Sequence, residues 1–164
     1  MLNRIVGITL IIFCLCFSTT FAATPDEQSA EKWFNQGYQY NLANEYQKAI
    51  DAYTKAIEIN PQDADAYYNR GIAYRKLNQP IQAIEDYTKA IEINPQDARA
   101  YYNRGIAYGK LNEWNREVQN YTKAIEIDPQ YIKAYHNRGI AHFLLNQYDQ
   151  AIKDSTKVIQ TNPK

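Results

Sequence analysis

Two hydrophobic patterns divide the 164-residue chain. The first is a block: Ile5 to Phe17 are apolar except for Gly7, Thr9 and two cysteines, with one positive charge in Met1 to Arg4 before them. Ser18 to Ala23 then turn small and polar, which completes the layout of a secretory signal peptide. Cleavage after Ala22 places Thr20 and Ala22 at the two sites a signal peptidase reads, and Ala23 is a second candidate. Extended to Ala23, the run approaches the roughly 20 residues that span a bilayer. Its strongly apolar part, however, falls within the about 7 to 15 residues of a cleaved h-region. Residues 1–22 are therefore expected to be removed, and the mature chain to be exported as a periplasmic or secreted protein. Membrane attachment is expected only if this segment stays uncleaved. Phe13 and Leu15 precede Cys14 and Cys16, where lipid modification would need a small residue.

The second pattern is periodic. The string N-R-G begins at Asn69, Asn103 and Asn137, and prolines fall at Pro61, Pro95, Pro129 and Pro163, each 34 residues apart. A fixed period in this range marks a repeat array. Within each period the apolar residues recur at helical spacing in two runs, separated by Asn44, Asn78, Asn112 or Asn146. Asparagine tolerates the left-handed backbone that ends a helix, and the proline stops the second run. Each unit is predicted to be a helix, a tight turn and a second antiparallel helix. After a lead-in at 23–29, where Thr24 and Pro25 can start the first helix, the units are 30–63, 64–97, 98–131 and 132–164.

Composition removes several functions. Basic and acidic residues balance at 18 each, and a nucleic-acid binder normally carries a clustered basic footprint. A mean hydropathy of −0.61 excludes a polytopic membrane protein. Both cysteines lie in the segment to be removed, so the mature chain has no structural disulfide, thiolate metal site or cysteine nucleophile. His136 and His142 are six residues apart, roughly 240° around a helix, and cannot share a metal through one face. No phosphate loop, nucleophile elbow or carboxylate constellation appears outside the repeats. Neither an enzyme nor a cofactor is expected. The 15 tyrosines remain to be explained.

The repeats resemble the tetratricopeptide repeat (TPR) family. Its pattern of aromatic, small residue, aromatic, alanine, aromatic, alanine and proline reads Trp33, Gly37, Tyr40, Ala49, Tyr53, Ala56 and Pro61 in the first unit. In the second it reads Tyr67, Gly71, Tyr74, Ala83, Tyr87, Ala90 and Pro95. The resemblance implies an all-α solenoid, stacked as a right-handed superhelix whose units cannot bury their apolar faces alone. It places Gly37, Gly71, Gly105 and Gly139 at close helix contacts against Ala49, Ala83 and Ala151. Tyr40, Tyr53, Tyr67, Tyr74, Tyr87, Tyr101, Tyr108, Tyr121 and Tyr135 become packing residues.

The resemblance also implies a concave groove, lined by the first helix of each unit, that holds a protein or peptide. Its candidate residues are Phe34, Asn35 and Tyr38; Asp65, Tyr68, Asn69, Ile72 and Arg75; Arg99, Tyr102, Asn103, Ile106 and Lys110; and Lys133, His136, Asn137 and Ile140. The asparagines would form an amide ladder for an extended backbone, with Phe34, Tyr68, Tyr102 and the isoleucines as side-chain pockets. Glu31 and Asp65 make one end acidic, while Arg99, Lys110 and Lys133 make the other basic. The family's carboxylate clamp is not matched, because its basic and asparagine places hold Phe34 and Tyr38, or Tyr68 and Ile72. Arg99 and Lys133 could still meet a carboxylate.

Two internal comparisons add detail. Residues 53–78 and 87–112 are identical except that Asp65 becomes Arg99 and Arg75 becomes Gly109, both on the groove side. Glu117 stands where other units have Ala49, Ala83 and Ala151; a buried carboxylate needs a partner or splays its unit, and Arg104 or Arg138 is expected to supply one. At the C-terminal end Ser155 and Val158 replace the aromatic and the alanine, which leaves Ala151, Ile152, Val158 and Ile159 as an apolar stripe. The expected function is an adaptor or assembly scaffold that binds a segment in its groove. The alternative is a homo-oligomer that assembles through the uncapped last helix.

Overall fold

The computed structural model describes residues 25–161. The expected signal peptide and Pro163 lie outside the described residues. Among the described residues eight helices follow one another: α1 Pro25–Leu42, α2 Tyr46–Ile59, α3 Ala64–Lys76, α4 Pro80–Ile93, α5 Ala98–Lys110, α6 Trp114–Ile127, α7 Ile132–Leu144 and α8 Tyr148–Thr161. There is no strand among the described residues. Helix α1 begins at Pro25, inside the expected lead-in.

The turns within the pairs follow from the asparagines. Asn44, Asn78, Asn112 and Asn146 have φ of 60°, 57°, 59° and 60°, the left-handed conformation that asparagine tolerates best after glycine. Each is followed by the same two backbone bonds, as in Asn44 N–H to Asn41 O at 3.1 Å and Glu45 N–H to Tyr40 O at 2.9 Å. This is the Schellman closure, which satisfies carbonyls that the helix end would leave open. Between pairs, Asn60 and Asn94 cap the second helix, and each side-chain oxygen accepts a backbone N–H two residues on. Asp63 and Asp97 then open α3 and α5 by accepting from Ala66 N–H and Arg99 N–H.

Helices α1 and α2, α3 and α4, α5 and α6, and α7 and α8 pack as antiparallel pairs, and the second helix of each pair stacks on the first helix of the next. The odd-numbered helices share one side, where α1 meets α3 and α3 meets α5. The architecture is an all-α solenoid.

The closest approach in the first three pairs is between a glycine and a ring. A Cβ on Gly37, Gly71 or Gly105 would lie 2.8, 2.8 or 2.7 Å from the ring of Tyr53, Tyr87 or Tyr121. Those three rings are the largest fully buried side chains among the described residues. Ala49 and Ala83, expected against these glycines, are also fully buried. In the last pair the atoms nearest to a Cβ on Gly139 belong to Asp154, Ala151 and Ser155, none closer than 3.4 Å, so the contact loosens where the ring is lost. The other tyrosines expected in the core (Tyr40, Tyr67, Tyr74, Tyr101, Tyr108 and Tyr135) are half-buried.

A second contact ties pairs together through the arginine of N-R-G. Arg70 makes a bidentate pair with Asp86 at 2.8 and 2.7 Å and reaches back to Thr54 at 2.9 Å. Arg138 repeats this with Asp154 and Thr122, and Arg104 with Asn120 and Thr88. Each guanidinium joins both helices of its own pair and the second helix of the preceding one.

Candidate functional site

The expected groove residues lie on the odd-numbered helices, but the contacts beneath them change what they can offer. The amide ladder is mostly used within the fold. Asn69 Nδ2 donates to Asp65 O at 2.8 Å, and Asn103 Nδ2 to Arg99 O at 2.9 Å and Tyr68 Oη at 3.1 Å. Asn137 Nδ2 donates to Tyr102 Oη at 3.1 Å and Tyr121 Oη at 3.5 Å. Asn103 is itself buried, and Asn35 is exposed. An asparagine on one helix thus latches the tyrosine of the preceding pair.

Tyr68 and Tyr102 are wall elements rather than free rings. They lie 5.9 and 5.5 Å from the centroids of Tyr87 and Tyr121, and Phe34 lies 5.6 Å from Tyr53. Tyr131 adds a ring 4.8 Å from Tyr102. Its place corresponds to the capping aspartates Asp63 and Asp97, and this 34-residue offset is the sequence signal that could have singled it out. Burial pushes the Tyr131 hydroxyl up to about 12.

The expected acidic-to-basic gradient is cancelled at its centre. Arg99 bonds Asp97 at 2.8 Å and Asp65 at 3.1 Å, with its guanidinium 4.8 Å from the Tyr68 ring centre. The Asp65-to-Arg99 difference between the near-identical strings therefore creates a bridge between pairs. Arg99 stays exposed but is already paired within the fold. Lys110, Lys133, His136, Tyr38 and Ile140 are exposed, while Ile72, Ile106 and Arg75 are half-buried.

Glu117 also departs from expectation. Arg104 and Arg138 are engaged elsewhere, and the group that meets Glu117 is the Tyr121 hydroxyl, which donates to Oε1 at 2.8 Å. The carboxyl lies against Gly109, where a Cβ would sit 2.6 Å from Oε1. The pair does not need to splay, because the glycine makes room. A cavity of about 360 Å³ opens here among α5, α6 and α7. Burial raises the Glu117 carboxyl above its ordinary value, and the bond from Tyr121 opposes this only in part.

The C-terminal end carries the expected apolar stripe. Ile152, Ile159, Phe143 and Tyr148 are exposed by 65, 70, 61 and 52%, and they border an open groove of about 650 Å³ between α7 and α8. Val158 and Ala151 are half-buried, and His136 is at the groove's edge.

Comparisons with known proteins agree with this architecture. A tetratricopeptide-repeat model matches residues 64–97, a TPR-repeat model 37–78, and a second tetratricopeptide-repeat model 86–119 and 120–153. Together they span 37–153, well over half of the chain, which belongs to the tetratricopeptide-repeat family. No curated protein matches it. Among solved structures it is similar to a crystal structure of MamA, with 29% identity and a TM-score of 0.79 over 80% of this chain and 77% of that one. MamA from Desulfovibrio magneticus RS-1 gives 26% identity and a TM-score of 0.76, over 80% of this chain and 75% of that one. The first TPR of Spaghetti (RPAP3), bound to the HSP90 peptide SRMEEVD, gives 27% identity and a TM-score of 0.72, over 73% of this chain and 95% of that one.

The Glu117 environment makes a prediction about pH. A carboxyl whose folded pKa is raised holds more protons folded than unfolded, so stability falls as pH rises through the window above its ordinary value of 4.5. Glu117→Gln should melt above the parent at pH 7, with the gap narrowing towards pH 4 in circular-dichroism melts. A gap that does not change with pH would assign the cost to something other than the charge.

Proposed function

We propose that the chain is an exported protein-interaction module that holds a peptide or protein segment along the face of α1, α3, α5 and α7, as an adaptor or assembly scaffold. The observation that carries this reading is a division of labour on one face. Tyr68, Tyr102, Asn103, Asn137 and Arg99 are bonded to one another or to neighbouring pairs, whereas Tyr38, Lys110, Lys133 and Ile140 are exposed above them. The bonded layer fixes the surface, and the exposed layer is left to touch a partner. The peptide-bound Spaghetti domain supports the same use of the scaffold. That domain's peptide is acidic, whereas this chain does not match the clamp places and already pairs Arg99 with Asp65 and Asp97, which favours a different segment chemistry. Export rests on the hydrophobic block at the N-terminus.

A peptide library displayed on phage tests the groove. Selected peptides should bind the parent and lose about tenfold or more in affinity to a Tyr38→Ser, Lys133→Ser, Ile140→Ser triple variant. They should bind a Gln82→Ser, Glu85→Ser, Lys89→Ser variant of α4 unchanged. Loss through the α4 variant alone would overturn the assignment of the face.

The α7–α8 groove favours a second reading. In earlier pairs the corresponding side is covered by the next pair, and here its apolar side chains are open. A second copy of the chain would cover them. Sedimentation should then show a concentration-dependent dimer that Ile152→Glu dissolves, and a monomer at every concentration would set this reading aside.

A further inference from the structure

The 34-residue period pairs Arg75 and Ala83 with Gly109 and Glu117. In the second helix pair the period sets a long side chain on α3 with a small one on α4; in the third a glycine on α5 faces a long side chain on α6. The Glu117 carboxyl fills the volume that a side chain at 109 would take, since a Cβ there would lie 2.6 Å from Oε1 and 3.0 Å from Oε2. Both arrangements set a charge near a buried tyrosine, and the charge changes sign. Arg75 bears on Tyr87 through its charge, while Arg75 Nε and the Tyr87 hydroxyl remain without geometrically sound hydrogen bonds. In the third pair the Tyr121 hydroxyl donates to Glu117 Oε1.

The carboxylate is not neutralised. None of the ion pairs among the described residues includes Glu117. Lys110 borders the cavity and makes no ion pair with it. The cavity's other borders include Ile106, Trp114, Ile140 and Leu144, which are apolar. An anionic group in the wall of a largely apolar cavity suits a long side chain with a methylene stem and a cationic head.

We propose that this cavity receives a lysine or arginine side chain of the segment held on the odd-helix face, giving the third helix pair a preference for a basic residue. The proposal rests on the peptide-binding reading of that face. The stem packs on Ile106, Ile140 and Leu144, and the head meets Glu117 Oε2 while Oε1 keeps the Tyr121 bond. An acidic side chain at this point meets a like charge and is rejected.

Peptides selected by the parent chain from a random library provide the probe. We expect one position to be enriched in lysine or arginine, and replacing that residue by glutamine to weaken binding about tenfold, as for loss of a charge-assisted bond. The same replacement should cost much less against Glu117→Gln, which is isosteric, and against Gly109→Arg, which supplies the cation from within the chain. Melting curves check that both variants fold. Tight binders with no basic position, or a basic position equally favoured by Glu117→Gln, would overturn the inference and leave the peptide-binding reading intact. Failure to select any binder would overturn both.

Discussion

The structure depends on a contact between a glycine and a tyrosine ring. Gly37, Gly71 and Gly105 bring the first helix of a pair so close to the second that Tyr53, Tyr87 and Tyr121 lie where a methyl group would otherwise be. A helical glycine costs about 1 kcal/mol relative to alanine, and burial of a large ring offsets it. The ring then reaches through the pair, so that its hydroxyl comes out on the odd-helix side. Asn41, at 3.4 Å from the Tyr53 hydroxyl, Arg75 near Tyr87, and Glu117 with Asn137 at Tyr121 all meet a hydroxyl placed by this contact. The core contact thus positions the polar floor of the face proposed to bind.

Two layers follow from that geometry. The repeated layer holds the stack together through the asparagine–tyrosine latches and the arginine that joins Thr54 to Asp86, Thr88 to Asn120, and Thr122 to Asp154. The variable layer lies above it, at 41, 75, 109 and 143, where asparagine, arginine, glycine and phenylalanine succeed one another. The last step, Phe143 with Ser155, coincides with the loss of the buried ring and with the open groove at the end of the chain. Where the ring is absent, the pair is looser and more exposed.

The fold was legible in the sequence because its signals are local and repeated. Asn44, Asn78, Asn112 and Asn146 mark the left-handed turns where expected, and the 34-residue period marks the pairs. The site was legible only as a face. Periodicity places Asn103 and Tyr68 on that side, but not the bond between them, which joins residues 35 apart on different helices. Likewise Arg99 reads as a free cation until Asp65 and Asp97 are seen to hold it. Glu117 was visible as an anomaly, and Gly109 as a difference. Their connection across eight residues was readable only as a compensating change in size, and no single-position pattern carries that.

The claim that Gly37, Gly71 and Gly105 accommodate the rings of Tyr53, Tyr87 and Tyr121 is tested most directly by a double-mutant cycle in urea at Gly71 and Tyr87. Gly71→Ala should destabilise the parent by about 1–3 kcal/mol, as overpacking does. In a Tyr87→Leu background the same change should become neutral or stabilising, because the helix preference for alanine is then unopposed. An equal loss in both backgrounds would contradict the account.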